Sequence, residues 1–314
     1  MRSKILITGA SGFLGSAVAN NLTEKNLVLT GRVNRLNLPS FYIKELTSTE
    51  NYKDCLADVD TIIHCAARAH LMNDESVNPL AEYRKVNVEG SANLAKQAIA
   101  AGVKRFIFIS SVKVSGECTT GSQPYTEDLL PAPEDAYGQS KLEAEKLLKE
   151  IAHESDMELV IIRPPLVYGP GVKANFLRLV RLSNLPIPLP FGAANNRRSM
   201  VYMGNLVDFI SLCLSHPAAA NETFLVSDGE DLSLRTLISY IRKALGKPSW
   251  LLPFPVRLFR IAGKLIGKSS VVDRLFGDLQ VNSSKAGVLL GWKPPYSAEE
   301  GINKTVLDFQ SKRN

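Results

Sequence analysis

Short apolar runs alternate with segments of helical hydrophobic spacing through the first half of the chain. The first run is KILIT at residues 4–8, and apolar residues then recur three or four positions apart at Phe13, Leu14, Ala17, Val18 and Leu22. Residues 83–101 have the same helical spacing, and Gly102 ends that segment. Further apolar runs lie at 27–30, 61–66, 105–110 and 159–163. Because strands buried on both faces are continuous apolar runs, the pattern predicts an α/β fold with a Rossmann-type doubly wound parallel sheet.

The pattern changes after residue 165. Prolines cluster at positions 186, 188 and 190, and helical segments at 206–215 and 234–245 lie between short strands. We therefore predict a dinucleotide-binding domain over residues 1–165. A smaller, mainly helical region that binds the substrate is predicted over 166–314, with some segments, such as 198–215, returning to the sheet.

Composition narrows the function further. The chain has 314 residues, 45% hydrophobic and 22% charged, as is typical of a soluble globular protein. Its net charge of +6 comes from scattered basic residues, which favours an anionic small molecule, such as a nucleotide, over nucleic acid. No uncharged run approaches the roughly 18 residues of a membrane span. The four cysteines are widely spaced, so we expect reduced thiols, no bound metal and a cytoplasmic location.

A glycine motif follows the first apolar run and opens the first helical segment. In Gly9-Ala-Ser-Gly-Phe-Leu-Gly15, the first glycine permits a tight turn and Gly12 lets a pyrophosphate approach the backbone amides. The last glycine permits close packing of helix and strand. The motif predicts a dinucleotide site whose contacts come from Gly9, Ser11, Gly12, Phe13, Leu14 and Gly15.

The end of the second run bears on the cofactor. Sites for NAD usually have Asp or Glu there, whereas an Arg suits the 2′-phosphate of NADP. This chain has Leu29-Thr-Gly-Arg32, and Arg35 follows. We therefore expect NADP(H), with NAD as the alternative.

Three further residues have the order needed for alcohol or ketone chemistry. Ser111 comes directly after the run at 105–110, Tyr137 follows 26 residues later, and Lys141 comes four positions after the tyrosine. A tyrosine with an ordinary pKa of about 10 exchanges protons near neutral pH only if that pKa is lowered. A lysine one turn along the helix supplies positive charge for this, and a serine hydroxyl can hold the substrate oxygen.

Taken together, these motifs resemble the extended short-chain dehydrogenase/reductases of the NAD-dependent epimerase/dehydratase type. The resemblance also includes His64-Cys-Ala-Ala67, Val86-Asn-Val-Glu-Gly90, Arg163-Pro-Pro165, Asn205-Leu-Val-Asp208 and Leu290-Gly-Trp292. It implies that Ser111, Tyr137 and Lys141 are catalytic, with Lys141 also holding the nicotinamide ribose and Asn87 supporting the site. The remaining implied contacts are Ala66, Ala67 and Pro164 for the cofactor, and Lys113, Asn175, Arg198 and Arg274 for the UDP-sugar substrate. Of these, Asn175, Arg198 and Arg274 are implied to contact its diphosphate.

Three functions follow from the resemblance. The first is a 4-ketoreductase acting on a UDP-N-acetylhexosamine for bacterial surface polysaccharide, because the Ser-Ser-Val-Lys-Val and Arg-Ser-Met-Val-Tyr segments resemble that branch. The alternative is a UDP-hexose or UDP-N-acetylhexosamine 4-epimerase with tightly bound NAD. A non-catalytic, cofactor-sensing protein is the third. We also expect a homodimer.

Other features have structural interpretations. His64 and His70 are predicted to be structural, since no metal-binding partners lie at suitable spacing. Glu143, Glu145 and Glu150 are predicted to lie on a solvated helix face. The basic amphipathic segment 254–268 is predicted to pack against the substrate-binding region, and the alternative is peripheral contact with an anionic membrane surface.

Overall fold

A seven-stranded parallel sheet forms the centre of the protein, seen here in a computed structural model that describes residues 4–23, 25–33, 41–68, 77–121 and 123–312. The strand order is β3-β2-β1-β4-β5-β6-β9, the doubly wound arrangement with one further strand at the β6 edge. The strands are β1 (Lys4–Thr8), β2 (Asn26–Gly31), β3 (Phe41–Ile43), β4 (Thr61–His64), β5 (Arg105–Ile109), β6 (Glu158–Arg163) and β9 (Thr223–Leu225).

Helices cover both faces of this sheet. Those in the first half are α1 (Phe13–Asn21), α2 (Lys53–Leu56), α3 (Pro79–Tyr83), α4 (Ser91–Ala100) and α5 (Ala136–His153). A π-helical segment, Arg84–Gly90, joins α3 to α4. In the second half, α7 (Met203–Cys213) and α11 (Ser284–Leu290) also pack against this sheet. The other helices there belong to separate clusters: α6 (Ala174–Ser183), α8 (Leu234–Ala244), α9 (Val256–Leu265), α10 (Ser269–Phe276) and α12 (Ala298–Ser311).

The core lies on both faces of the sheet because successive strand residues point to opposite sides. In β1, Ile5 and Ile7 belong to a cluster with α1 and α7, whereas Leu6 belongs to a cluster with α4 and α5. Since both faces of each central strand are covered, the strands are continuous apolar runs, which is the pattern that predicted them.

A second, three-stranded sheet lies in the later part of the chain, in the order β10-β8-β7. Its strands are β7 (Leu166–Tyr168), β8 (Arg198–Tyr202) and β10 (Asp231–Leu232). The buried Asp228 carboxylate ties this region together, accepting hydrogen bonds from the Tyr168 hydroxyl and the Asn205 side chain, both at 2.7 Å.

Most of the predicted elements occur with small changes of boundary. The helix predicted at 83–101 begins earlier, at Pro79, because Asn78 caps it by accepting a hydrogen bond from the Ala81 amide at 3.1 Å. Its middle segment, Arg84–Gly90, is π-helical rather than α-helical. The later region contributes β9, which pairs with β6, and α7, which packs on the core of the large sheet. The division at residue 165 stays a prediction.

Candidate active site

The glycine motif forms a tight cradle between β1 and α1. Gly9 has φ of +67°, and a Cβ on it would lie 2.8 Å from the backbone of Ala66. A Cβ on Gly15 would lie 2.2 Å from the Gly9 carbonyl oxygen. Within the described residues no side chain caps α1 at Gly12, so the amides of its first turn are not occupied by a cap. Such an uncapped helix N-terminus suits a pyrophosphate.

The end of β2 lies beside this cradle. A Cβ on Gly31 would meet the Ser11 hydroxyl oxygen at 2.9 Å, which places the loop after β1 against the end of β2. Arg32 follows directly and is exposed. The chain therefore presents a cation, rather than a carboxylate, where a bound adenosine ribose is expected. Arg35 and His70 lie outside the described residues.

The carboxyl end of β4 forms the next wall. The Ala66 amide donates a hydrogen bond to the Thr8 hydroxyl at 3.2 Å, and Ala67 follows it. His64 is fully buried, with ring nitrogens 2.6 Å from the Thr8 hydroxyl and 2.9 Å from the Ser91 hydroxyl. Burial lowers the pKa of His64 to about 3, with the charge of Lys141 acting in the same direction, so the ring is neutral. His64 therefore braces β1, β4 and α4.

Helix α5 carries Tyr137 in its first turn and Lys141 one turn later. The Lys141 side chain is almost completely buried, with its ammonium nitrogen 4.1 Å from the centre of the Phe108 ring on β5. Burial lowers the pKa of Lys141 to about 7, although Glu145 and Cys65 act against this. The Tyr137 ring makes an edge-to-face contact with Tyr83, with centroids 6.0 Å apart.

Burial raises the pKa of Tyr137 above its ordinary value, and Asp135 and Tyr83 act in the same direction. In the protein chain alone this pKa is therefore raised, not lowered as the sequence led us to expect, because burial disfavours the phenolate. The spacing of Tyr137 and Lys141 is nevertheless realised on the face of α5 that meets the sheet.

Ser111 belongs to a turn that is linked to the start of α5. Its hydroxyl oxygen accepts a hydrogen bond from the Lys113 amide at 3.2 Å. The Lys113 ammonium group lies 2.5 Å from Asp135 and 2.6 Å from Glu117. Asp135 in turn caps α5, two residues before Tyr137. The Lys113 side chain therefore ties the Ser111 turn to the helix that carries Tyr137.

Asn87 joins a third segment to the same helix. From the π-helical segment, its side chain accepts a hydrogen bond from the Arg68 amide at 2.8 Å and donates one to the Ser140 hydroxyl at 3.0 Å. Ser140 donates to the Tyr137 carbonyl oxygen at 2.8 Å. These hydrogen bonds thus hold the loop after β4 close to the first turn of α5.

One buried group was missed by the sequence analysis. Glu145 does not lie on a solvated face: only 2% of its side chain is exposed, and it forms two hydrogen bonds with Arg163, at 3.0 and 2.6 Å. The Ser110 hydroxyl donates to the same carboxylate at 2.5 Å. Glu145 follows Lys141 by four residues, so both lie on the same face of α5. That spacing was the available signal.

On the substrate side, two predicted phosphate ligands lie near each other. Arg198, at the start of β8, donates to the Gly277 carbonyl oxygen at 3.1 Å. Burial lowers the pKa of Arg198, and the charge of Arg274 acts in the same direction. Arg274 lies 3.7 Å from Glu117. The two cations thus share one environment beside the Lys113–Glu117 pair. Asn175 is exposed in the first turn of α6, and its predicted role stays a prediction.

The glycine cradle, the uncapped α1 and the buried Lys141 fit a nicotinamide dinucleotide. The pyrophosphate would lie at the α1 terminus, and the nicotinamide end would lie toward α5. Pro164 is buried directly after β6, and its carbonyl oxygen accepts a hydrogen bond from the Val112 amide at 3.0 Å, so it adjoins the Ser111 turn.

A model of the NAD dependent epimerase/dehydratase family matches residues 5–227, which include the glycine motif, Ser111, Tyr137 and Lys141. The chain belongs to this family. It is 48% identical to a UDP-glucose 4-epimerase of Vibrio cholerae, over 100% of this chain and 98% of that protein.

Two further proteins that resemble this one are named for other substrates. The chain is 31% identical to an N-acetyl-α-D-glucosaminyl-diphospho-ditrans,octacis-undecaprenol 4-epimerase of Escherichia coli O157:H7, over 98% of this chain and 95% of that protein. The crystal structure of a UDP-glucuronic acid 4-epimerase from Bacillus cereus, in complex with NAD, has the same fold. Its TM-score is 0.77 at 22% identity, covering 99% of this chain and 100% of that one.

The described residues contain no group of three or more His, Cys, Asp or Glu side chains arranged to hold a metal ion. None of the helices in the described ranges is both long and apolar enough to cross a membrane.

Proposed function

We propose that the protein interconverts C4 epimers of a UDP-linked hexose or N-acetylhexosamine and retains NAD throughout. The observation that carries this proposal is the 48% identity to the Vibrio cholerae UDP-glucose 4-epimerase along the whole chain. The intact Ser111, Tyr137 and Lys141 beside the glycine cradle support it. Its relatives give no specific support to the 4-ketoreductase that the sequence analysis placed first, so that activity becomes the competing outcome of the test.

Each residue has a defined task in this reaction. Tyr137 accepts the proton of the C4 hydroxyl as the carbon is oxidised, and it returns a proton to the C4 oxygen after the ring presents its opposite face. NAD, when bound, supplies the acceptor and then the donor of the C4 hydride. Ser111 donates a hydrogen bond to the C4 oxygen, and Lys141 holds the cofactor ribose beside Tyr137. Oxidation and reduction cancel, so the net reaction consumes no reductant.

The substrate side supports a diphosphate. Arg198 and Arg274 give the cleft two cations near each other, and a guanidinium pairs well with phosphate oxygens. The name of the Escherichia coli relative gives a second candidate substrate, an N-acetylglucosaminyl diphosphate joined to a polyprenol instead of uridine. Both candidates carry a sugar diphosphate and both react at C4, so the same residues would serve them.

The cofactor is proposed to be NAD rather than NADP. The family is NAD-dependent, and the Bacillus cereus neighbour holds NAD. Arg32 is the feature that supports NADP, but it is exposed and solvent can satisfy its charge. Mass spectrometry of the nucleotide released on denaturation will identify the cofactor.

The deciding experiment adds UDP-glucose or UDP-N-acetylglucosamine to desalted protein without any nicotinamide. We expect proton NMR to show the galacto epimer as it forms. We also expect the ultraviolet absorbance of a bound nicotinamide nucleotide to survive desalting. If UDP-4-keto-6-deoxy-N-acetylhexosamine instead consumes NADPH mole for mole, and neither UDP-sugar is epimerised, the protein is the ketoreductase and the proposal fails.

A further inference from the structure

Exposed apolar side chains concentrate in one short part of the chain. Of the twenty large apolar side chains that are exposed within the described residues, eight lie between positions 250 and 271. They are Trp250, Leu252, Phe254, Leu258, Ile261, Leu265, Ile266 and Val271. Exposed apolar side chains that are clustered mark an interaction site more often than single exposed residues do.

Helix α9 is apolar on two faces, and only one of them is packed. Phe259 contacts Phe276 and Phe191, with ring centroids 4.9 and 5.7 Å apart, and so fixes α9 to the body of the protein. Leu258, Ile261 and Leu265 recur at helical spacing on another face, and from 46% to 81% of each residue is exposed. The predicted packing against the substrate-binding region therefore accounts for one face of α9 and leaves the second uncovered.

The charged residues around this surface are mostly basic. Positions 254–276 contain five basic residues and a single acidic one, Asp273. The basic residues, all exposed, are Arg257, Arg260, Lys264, Lys268 and Arg274. By helical spacing, Arg257, Arg260 and Lys264 lie along one flank of the Leu258–Ile261–Leu265 stripe. An apolar stripe with a basic flank is the pattern of a helix that lies in the interface of an anionic membrane.

We propose that the exposed surface of α9 and α10, together with residues 250–254, docks on an anionic phospholipid bilayer. A second copy of the chain is a poorer occupant, because a twofold contact would bring the same basic flanks of both copies together. A bilayer with acidic headgroups has the opposite charge and accepts the apolar stripe in the same contact. Docking does not depend on the proposed reaction.

Position connects this surface to the cleft. Helix α10 begins beside the stripe and ends at Phe276, next to Gly277, whose carbonyl oxygen accepts the hydrogen bond of Arg198. Arg274 lies in its last turn. A docked protein would therefore hold its candidate phosphate ligands close to the bilayer surface, which suits a sugar diphosphate carried on a lipid. This consequence rests on the proposed function.

The experiment is flotation of the full chain with vesicles of phosphatidylcholine alone or of equal parts phosphatidylcholine and phosphatidylglycerol. We expect binding to the acidic vesicles only, and weaker binding as salt is raised. The triple variant Leu258→Ser/Ile261→Ser/Leu265→Ser should bind at least about tenfold more weakly, since the apolar stripe is lost. Arg257→Gln/Arg260→Gln/Lys264→Gln, with the stripe intact, should lose roughly fivefold per charge removed.

The matched control replaces three exposed apolar residues on α11 and α12: Val288→Ser/Leu289→Ser/Leu307→Ser should float as the unchanged protein does. Equal binding to neutral vesicles, no binding to acidic ones, or an effect as large in the control would overturn the proposal. So would a fall in mass by ultracentrifugation in the stripe variant with unchanged flotation, because the surface would then join two copies.

Epimerisation of a UDP-sugar in solution, measured in parallel, should be unchanged by the stripe variant. If no variant and no parent protein epimerises, the proposed function fails while the flotation result still stands.

Discussion

Tyr137 and Lys141 lie one helical turn apart, and burial disfavours the charged form of each. It raises the pKa of the phenol and lowers that of the ammonium group to about 7. In the protein chain alone burial therefore favours the neutral phenol, the form that returns a proton to a C4 ketone oxygen. Removal of the C4 hydroxyl proton needs the phenolate, which positive charge beside Tyr137 favours. Lys141 is close to its own titration at neutral pH, so its charge responds to groups brought next to it.

Removal of the Tyr137 hydroxyl tests its role directly. Tyr137→Phe keeps the ring and its contact with Tyr83, so the unfolding transition and the bound nucleotide should be unchanged. Turnover should fall roughly 10²–10⁴-fold, as when a general acid is removed. Steady-state kinetics measures this. The matched control is Tyr240→Phe, at a tyrosine on α8 whose hydroxyl makes a long, exposed hydrogen bond of 3.5 Å to Glu230. Turnover within a few-fold of the parent protein would remove Tyr137 from this role.

The predictability of single residues differs within α5. Tyr137 and Lys141 could be identified because their spacing recurs behind a glycine motif and a Ser-Ser strand end. Glu145 could not, because a helix rich in Glu and Lys carries several carboxylates and its partner Arg163 is distant in sequence. Its four-residue spacing from Lys141 was a weak signal, and it is the packing of α5 on the sheet that shows Glu145 facing inward while Glu143 faces out.

At the scale of an element, α5 offers a paired test of that difference. Glu145→Gln leaves the Arg163 guanidinium buried without its counter-charge, which should lower the free energy of unfolding by about 3–5 kcal/mol. Glu143→Gln, two residues away, removes the partner of the half-exposed Arg84 and should shift the transition little. Urea unfolding followed by circular dichroism compares the two variants. Equal shifts would mean that the Glu145–Arg163 pair contributes no more than a surface pair.

The joints between elements were harder to predict than the elements themselves. Apolar spacing indicated one helix at 83–101, yet residues 84–90 are π-helical, and π-bulges are often found at functional sites. The hydrogen bonds of Asn87 to Arg68 and Ser140 join this segment to two others that are distant in sequence. A local pattern does not contain such contacts. It therefore predicts that a helix is present, but not how it is wound.

At the scale of the whole molecule, the candidate phosphate site depends on segments far apart in the chain. Arg198→Gln should weaken UDP binding by roughly tenfold or more, because a hydrogen bond to a charged group contributes about 1.5–3 kcal/mol. Nicotinamide binding should be unchanged. Calorimetric titration with UDP measures this, with the exposed neighbour Arg197→Gln as the control. An unchanged UDP affinity in Arg198→Gln would contradict a phosphate contact at this residue.

The parallel, doubly wound sheet could be predicted from the alternation of strands and helices, since that alternation implies crossovers in one sheet. The strand on the outer side of β6 could not be predicted in this way. The short run Thr223-Phe-Leu225 has no periodicity that distinguishes a turn from a strand. Only its pairing with Ile161, Ile162 and Arg163 identifies it as β9. The small sheet and the Arg198–Arg274 environment likewise arise from long-range packing.

The pairing of β9 with β6 affects how the chain is made. A ribosome completes β6 well before it reaches β9, because α6, α7 and most of the small sheet lie between them. Throughout that interval the outer edge of β6 has unpaired backbone amides and carbonyls next to buried apolar side chains. Such edges are templates for pairing with other chains. The large sheet is therefore closed at this edge only after residue 225 has been synthesised, when more than two thirds of the protein already exists.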